Sequence, residues 1–399
     1  MNVLYVYDGD WPRNATRPAK QMRSLAAAGH VVHLLSGNPK NEPRLEDGGW
    51  LRVERIPSFG SPRLYRTLGF HIFVNPVWLW CIFRAARRSH AQCMIVRDLP
   101  LAPAALAVGA VLRVPVHYDM ADVYPVMMRA NRADHPGVVS RVTRNPAMAE
   151  LIERFVVRRV ATVFVVSEES RNRCIGLGVV PGRVVVVGNT PENLADLERE
   201  YPIPQDIADW GGRPIVLFVG NLLADRGLAE AIDAIALVAK DVPEAALVVI
   251  GDGRDEASLR ARVAERGLDG CVRLLGWKPH SQHAPYYTHA AVGVLPFHAT
   301  EHICITLANK LFDYMGAGLP VLASDVPPMR RVLSETGAGV LVPPADVRAL
   351  AHGLITLLRD PELRKRLGEA GRQAVATRYS WAEDRRRFLD AIEVVRGRQ

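Results

Sequence analysis

The chain has 399 residues, 49% of them hydrophobic and 23% charged, with a formal net charge of +8. That is too apolar for a disordered chain and too long for one ordinary core, so two domains of roughly 180 residues each are expected. No uninterrupted apolar run reaches the roughly 18 residues of a membrane-spanning helix, and five scattered cysteines without CxxC spacing argue against a disulfide frame or zinc site.

A strand-like segment, Val3–Tyr7, begins almost at Met1 without a basic leader, so no secretory signal is expected. The cysteines read as reduced thiols of a cytoplasmic protein. A helix over Arg17–Ala28, capped by Gly29, leads to a second strand, Val31–Leu35. The loop between the first strand and this helix, DGDWPRNATR, lacks a GxGxxG fingerprint. Its Asp8-Gly9-Asp10 is a DxD that either turns the chain or holds a metal; the turn reading is preferred, and no metal or cofactor is expected. Arg13 and Arg17 lie near the strand ends, where they would hold an anionic group of an acceptor or be solvated.

Residues 51–160 contain 16 Arg, no Lys and 7 acidic residues, a balance of +9, whereas the rest of the chain is nearly neutral. That favours an anionic partner for the first half, or reflects arginine-rich codon usage; no aromatic-basic motif supports nucleic acid. Within it, Phe70, Phe73, Val77 and Trp80 fall at helical spacing and are followed by Arg84, Arg87 and Arg88. This stripe either packs on a sheet or dips into an anionic membrane surface, at the inner face of the cell membrane. Strands Cys93–Val96 and Val114–Tyr118 flank an Ala-rich helix, and YDMADVYP then places Asp119 and Asp122 at the sheet's carboxyl edge. There they would orient an acceptor hydroxyl, or Asp122 would only start the next helix. Residues 126–145 read as a surface loop, followed by a helix over Met148–Arg159 and strands Thr162–Val166 and Val184–Val187.

The charged, Pro- and Gly-containing stretch 196–213 is the best linker, giving domains 1–200 and 201–377 and a segment 378–399 able to return to the first domain. A second strand–helix series follows: Ile215–Val219, a helix from Leu228, Ala246–Ile250, a helix from Ala257, and Val272–Leu275. Two such series predict two doubly wound α/β domains facing a cleft. Gly220 admits close backbone approach, and Arg226 offers a guanidinium fork suited to a diphosphate. Gly251-Asp252-Gly253 is a tight turn, and Gly276-Trp277 ends a strand where a nucleobase could pack. Strand Val292–Leu295 leads through a polar loop with Glu301, His302 and Thr306 to a short helix at Asn309–Met315. On that helix Lys310 and Asp313 are three apart and share a face, one suited to phosphate and the other to sugar hydroxyls.

This order resembles the retaining, family-4 type of glycosyltransferase with the GT-B fold, across essentially the whole chain and most closely over 214–345. The resemblance implies that Gly220 to Gly227 is the diphosphate loop, with Asn221 where arginine is usual and Arg226 in the lysine's place. It implies that Gly251 and Gly253 form the G-x-G turn, Trp277 borders the base, and Asn309-Lys310-Leu311-Phe312-Asp313-Tyr314-Met315 carries Asp313 to the ribose. Where the family often has a glutamate eight before the acidic residue, Ile305 stands, leaving Glu301 or His302 for the sugar; Ala121 stands near the family's first-domain histidine.

The expected activity is metal-independent transfer of a sugar, a hexose by preference, from a nucleotide-diphosphate sugar to a sugar, lipid-linked or phosphorylated acceptor, in glycan, polysaccharide or glycolipid assembly. Arg226 and Lys310 would neutralise the leaving diphosphate, with Asp119 or Asp122 as first-domain catalytic candidates. A nucleotide-sugar epimerase using Asp119 and Asp122, and a non-catalytic donor- or lipid-binding partner, are the alternatives.

Overall fold

The computed structural model describes residues 1–9, 11–12, 15–58, 73, 75–130 and 145–397. Arg13, Asp10, Phe70 and most of the expected surface loop at 126–145 lie outside the described residues. The chain divides into two units, Met1–Gly188 with Asp384–Gln399, and Asn189–Glu383.

The first unit runs β1 (Asn2–Tyr7), α1 (Thr16–Ala27), β2 (Val31–Ser36), β3 (Leu45–Asp47), β4 (Leu51–Arg55), α2 (Pro76–Arg88), β5 (Cys93–Arg97), α3 (Ala102–Leu112), β6 (Val116–Met120), α4 (Tyr124–Ala130), α5 (Pro146–Arg159), β7 (Thr162–Val165), α6 (Glu168–Gly176) and β8 (Val184–Val186). Its eight-stranded sheet has the order β3-β4-β2-β1-β5-β6-β7-β8. Every pairing is parallel except the short β3 on β4. Parallel strands are covered on both faces, which is why β1, β5 and β7 read as unbroken apolar runs. The strand order reverses between β1 and β5, the kind of switch point outside which open α/β sheets bind ligands.

The expected stripe divides, with Phe73 buried, Val77 half-buried and Trp80 outside. Asn75 caps α2, its side chain accepting from the Val77 and Trp78 amides, and the face turned inward is Trp78, Cys81, Ile82, Ala85 and Ala86. Trp80 is instead 61% exposed and stacks on Phe83 with ring centroids 6.3 Å apart, while the Arg87 guanidinium lies 5.9 Å over Phe83. Trp78 fills the core position because it falls three before Cys81 and four before Ile82, on their face. The neighbouring helices α3 and α5 also leave apolar side chains outside, among them Val111, Phe155 and the 71% exposed Leu151. Arg159 covers Phe155 at 3.9 Å.

The second unit runs α7 (Leu194–Glu198), β9 (Ile215–Val219), α8 (Leu228–Val238), β10 (Ala246–Ile250), α9 (Glu256–Glu265), β11 (Val272–Leu274), α10 (Ala284–His289), β12 (Val292–Leu295), α11 (Asn309–Gly316), β13 (Val321–Ser324), α12 (Pro327–Thr336), β14 (Gly339–Val342), α13 (Val347–Arg359) and α14 (Pro361–Thr377). Its parallel sheet has the order β11-β10-β9-β12-β13-β14, with the reversal between β9 and β12. The division after Gly188 precedes the stretch 196–213 because Leu197, Ile207 and Trp210 pack into the second unit's core. Helix α15 (Trp381–Arg396) begins in the second unit and ends in the first, where Phe388 meets Phe164 at 5.0 Å. Both units are Rossmann-like α/β domains. Among the described residues no helix is long and apolar enough to cross a membrane, and no group of three His, Cys, Asp or Glu side chains could hold a metal ion.

Candidate functional site

In the second unit the switch point between β9 and β12 brings together the loops after both strands and the first turn of α11. Tyr314 fixes that helix: its buried hydroxyl accepts from the Val219 amide at 2.9 Å and donates to the Leu217 carbonyl at 3.3 Å. One turn earlier Lys310 therefore points along the end of β9. Its amine lies 4.5 Å over the Phe218 ring and 5.5 Å from the centre of Phe297, which follows β12. The amine lies against the Gly220 Cα, where an added Cβ would displace it, and the φ of 142° at that position favours glycine.

Arg226 reaches the same place from the loop before α8, its guanidinium 5.2 Å over Phe297. Gly227 turns the chain there at φ 65°, and any Cβ would strike the Pro296 carbonyl. Two cations thus converge on one patch, while the nearest carboxylate to Arg226 is Asp225 at 3.6 Å. Burial, and then repulsion from Arg226, push the Lys310 amine down to about 7, against the weaker pull of Asp313 and Asp225. Such a site is short of negative charge.

The remaining expected residues lie on α11 and on loops of the same unit. Gly251 and Gly253 follow β10, where their backbones press on those of Gly220 and Leu222; a Cβ on either would clash. The Gly251 amide donates to the Gly276 carbonyl at 2.8 Å, placing the end of β11 beside this turn, and the next residue, Trp277, is 62% exposed. Asn221 is exposed beyond Gly220, and Asn309 is exposed at the start of α11. Asp313 is buried on α11, with a carboxylate oxygen 3.5 Å from His280 Nε2. His280 is a neighbour that no motif identified. Glu301 is exposed and His302 half-buried in a turn, where Thr306 donates its hydroxyl to the His302 carbonyl at 2.8 Å. His298 ties the same loop to Glu230 at 3.0 Å.

The first-unit candidates divide differently. Arg17 and Asp119 do not face an acceptor, because they are 4% and 0% exposed and satisfy each other. Arg17 donates to Asp119 at 2.6 Å and to the Val187 carbonyl at 2.7 Å, and Gln21 adds a third donor to Asp119 at 3.1 Å. Burial alone would raise the Asp119 carboxyl, but Arg17 outweighs it and holds the group below the usual carboxylate range. Their pairing joins α1 to β6 and is structural. Asp122 is half-buried beyond the end of β6. Two residues that sequence reasoning passed over, Arg97 and Asp98, occupy the end of β5 at the switch point itself. The signal was available: Asp98 follows the apolar run of β5 as Asp8 follows that of β1.

Comparison with known proteins fits this geometry. Residues 15–190 match the family described as Glycosyl transferase 4-like domain, and residues 203–374 match Glycosyl transferases group 1. The chain is 26% identical to 2-deoxystreptamine glucosyltransferase of Streptomyces kanamyceticus over 387 residues, covering 90% of this chain and 93% of that protein. It is 26% identical to alpha-D-kanosaminyltransferase of the same organism over 62% of this chain, spanning 64% of that relative. It is 35% identical to phosphatidyl-myo-inositol mannosyltransferase of Mycobacterium leprae over 45% of this chain, about half (46%) of that relative. Among solved structures, sucrose-phosphate synthase from Thermosynechococcus elongatus superposes with a TM-score of 0.76 at 20% identity, covering 100% of both chains. Anabaena Alr3699/HepE in complex with UDP superposes with a TM-score of 0.73 at 14% identity, covering 99% of this chain and 100% of that one. At these identities the structural matches speak to the fold, which is GT-B.

Proposed function

Because this chain belongs to the glycosyltransferases that pair a 4-like domain with a group 1 domain, we propose that it transfers a hexose, with retention, from a nucleotide-diphosphate sugar to a hydroxyl of a polyhydroxylated ring. The ring is free or carried on a lipid, as in glycolipid or polysaccharide assembly. The observation that carries this reading is the convergence of Arg226 and Lys310 beside Gly220, with Asp225 the carboxylate within ion-pair range of Arg226. A diphosphate supplies further negative charge, and neutralising it lowers the cost of its departure. The bond from the anomeric carbon to the diphosphate breaks as the acceptor oxygen bonds to that carbon. The acceptor's proton ends on the departing diphosphate, so no protein base is required.

In this reading Asp313 accepts from the ribose hydroxyls and the exposed Trp277 borders the base. The Gly220 amide region and Asn309 flank the phosphates, and Glu301, His302 or Thr306 meets the sugar. The acceptor lies on the first unit. The ring acceptor is supported by what two relatives' names say they glycosylate, 2-deoxystreptamine and a phosphatidyl-myo-inositol. The outer face of α2, with Trp80, Arg84, Arg87 and Arg88, supports peripheral contact with an anionic membrane at its cytoplasmic side. Incubation with UDP-glucose or GDP-mannose and either 2-deoxystreptamine or phosphatidylinositol vesicles tests the reading through nucleoside-diphosphate release. Absence of release from both donors with both acceptors overturns it.

A further inference from the structure

The first unit has its own switch point, between β1 and β5, and the mechanism above leaves it without a role. At that point the chain passes from Arg97 to Asp98 and on to the first turn before α3. Asp98 takes a φ of 67°, an unfavourable value for a residue other than glycine. Its amide donates to the Asp119 carbonyl at 3.3 Å, which ties the strained residue to the end of β6.

The side chains around it are incompletely satisfied. Asp98 Oδ1 and the Nε and Nη1 of Arg97 are buried without a hydrogen-bond partner, although the two residues approach to 3.5 Å and Arg97 Nη1 lies 3.7 Å from Asp119. Tyr118, on the side of β6 opposite the Arg17–Asp119 pair, is fully buried with an unpartnered hydroxyl and lies within electrostatic range of Asp98. Buried polar atoms are ordinarily paired, and a cluster that is not has capacity left for a ligand's polar groups or for water.

We propose that Asp98, steadied by Arg97, is an acceptor-binding residue that grips a hydroxyl of the polyhydroxylated ring next to the one that reacts. This rests on the transfer reading above and deepens it. It replaces the Arg17–Asp119 pair, which is consumed internally, with a group that has an unused oxygen at the sheet's ligand-binding edge. Burial raises the Asp98 carboxyl, and Asp8, Asp122 and Asp119 add to the rise against the pull of Arg97. The tyrosines within its electrostatic reach, Tyr5, Tyr118 and Tyr124, are all raised, chiefly by burial. When protonated, the carboxyl both donates to one acceptor oxygen and accepts from another. It keeps that proton through the transfer.

The test measures acceptor KM, donor KM and donor hydrolysis to water, with UDP-glucose or GDP-mannose as donor and 2-deoxystreptamine or phosphatidylinositol vesicles as acceptor probe. Asp98→Ala is expected to raise acceptor KM by about tenfold or more, the loss of one substrate hydrogen bond, while donor KM and hydrolysis stay within about twofold. Asp98→Asn, whose amide also donates and accepts, is expected to stay within about threefold of the parent. Acceptor KM of the parent rises as increasing pH removes the Asp98 proton, and that of Asp98→Asn does not change with it. An unchanged acceptor KM in Asp98→Ala, or a parallel loss of donor hydrolysis in Asp98→Asn, overturns the assignment while leaving the transfer reading intact. Absence of nucleotide release by the parent protein overturns both.

Discussion

The Lys310 amine provides a quantitative check on the proposed diphosphate site. In the protein alone burial and Arg226 hold it at about 7. A bound diphosphate replaces the lost water with negative charge, restoring a value near the ordinary lysine range of about 10.4. Only the protonated amine attracts the ligand, so affinity is full below pH 7 and is lost as pH rises through that value. At pH 8 the Lys310 amine of the protein alone is about one-tenth charged, and binding takes up about 0.9 proton per site. Affinity should then fall about tenfold per pH unit between pH 7.5 and 9, a factor equivalent to about 1.4 kcal/mol. A terminal phosphate titrates near 6, outside this window. Calorimetry of UDP or GDP binding in two buffers of different ionisation enthalpy reads the proton uptake directly. Lys310→Met should abolish both the uptake and the pH slope, and weaken binding at pH 7 by about 4 kcal/mol, the linkage implied by a rise from about 7 to about 10.4. Flat affinity from pH 7.5 to 9 in the parent protein, with no proton uptake, would refute the reasoning.

Arg17→Met should destabilise the first unit by about 3–5 kcal/mol, because it leaves the Asp119 carboxylate buried without its cation; urea unfolding measures this, and a loss below about 1 kcal/mol would contradict the structural assignment. Asp313→Asn should weaken binding of the ribonucleotide by about tenfold and its dideoxy analogue by far less; equal losses in calorimetry would make the carboxylate structural. Chelation with EDTA should leave the transfer rate unchanged, since Arg226 and Lys310 are assigned the charge that a metal would otherwise carry; a rate restored only by added divalent cation would reject that. Arg84, Arg87 and Arg88 changed together to Ser should abolish co-sedimentation with anionic vesicles, a loss of about 3 kcal/mol; binding that ignores lipid charge would reject the contact.

Much of the fold was legible because buried parallel strands leave apolar runs. Val292–Leu295 and Ile215–Val219 stand as expected from sequence. The helix bearing Lys310 and Asp313 was legible for the same reason, since a spacing of three fixes a common face. What was not legible depends on partners distant in the chain. Arg17 and Asp119 are 102 residues apart, and nothing local distinguishes a carboxylate held by a guanidinium from one awaiting a substrate. The exposure of Trp80 depended on which face of α2 met the sheet, and two aromatic-containing stripes competed, with Trp78 winning the interior. The division after Gly188 was hidden because Ile207 and Trp210 sit among charged and turn-forming residues yet anchor that stretch to a core. Asp98 announced its position after a strand but not its backbone conformation, which follows from the turn into α3.

The return of α15 to the first unit sets an order of events during synthesis. Phe388 and Ile392 are buried parts of that unit, but the ribosome makes them only after Asn189–Glu383. At about 5–20 residues per second, that interval lasts on the order of 10–40 s. Through it the nascent first unit has Phe164 and the surrounding sheet face without their last covering helix. The second unit is complete before the first, so the half of the protein that begins the chain finishes folding last.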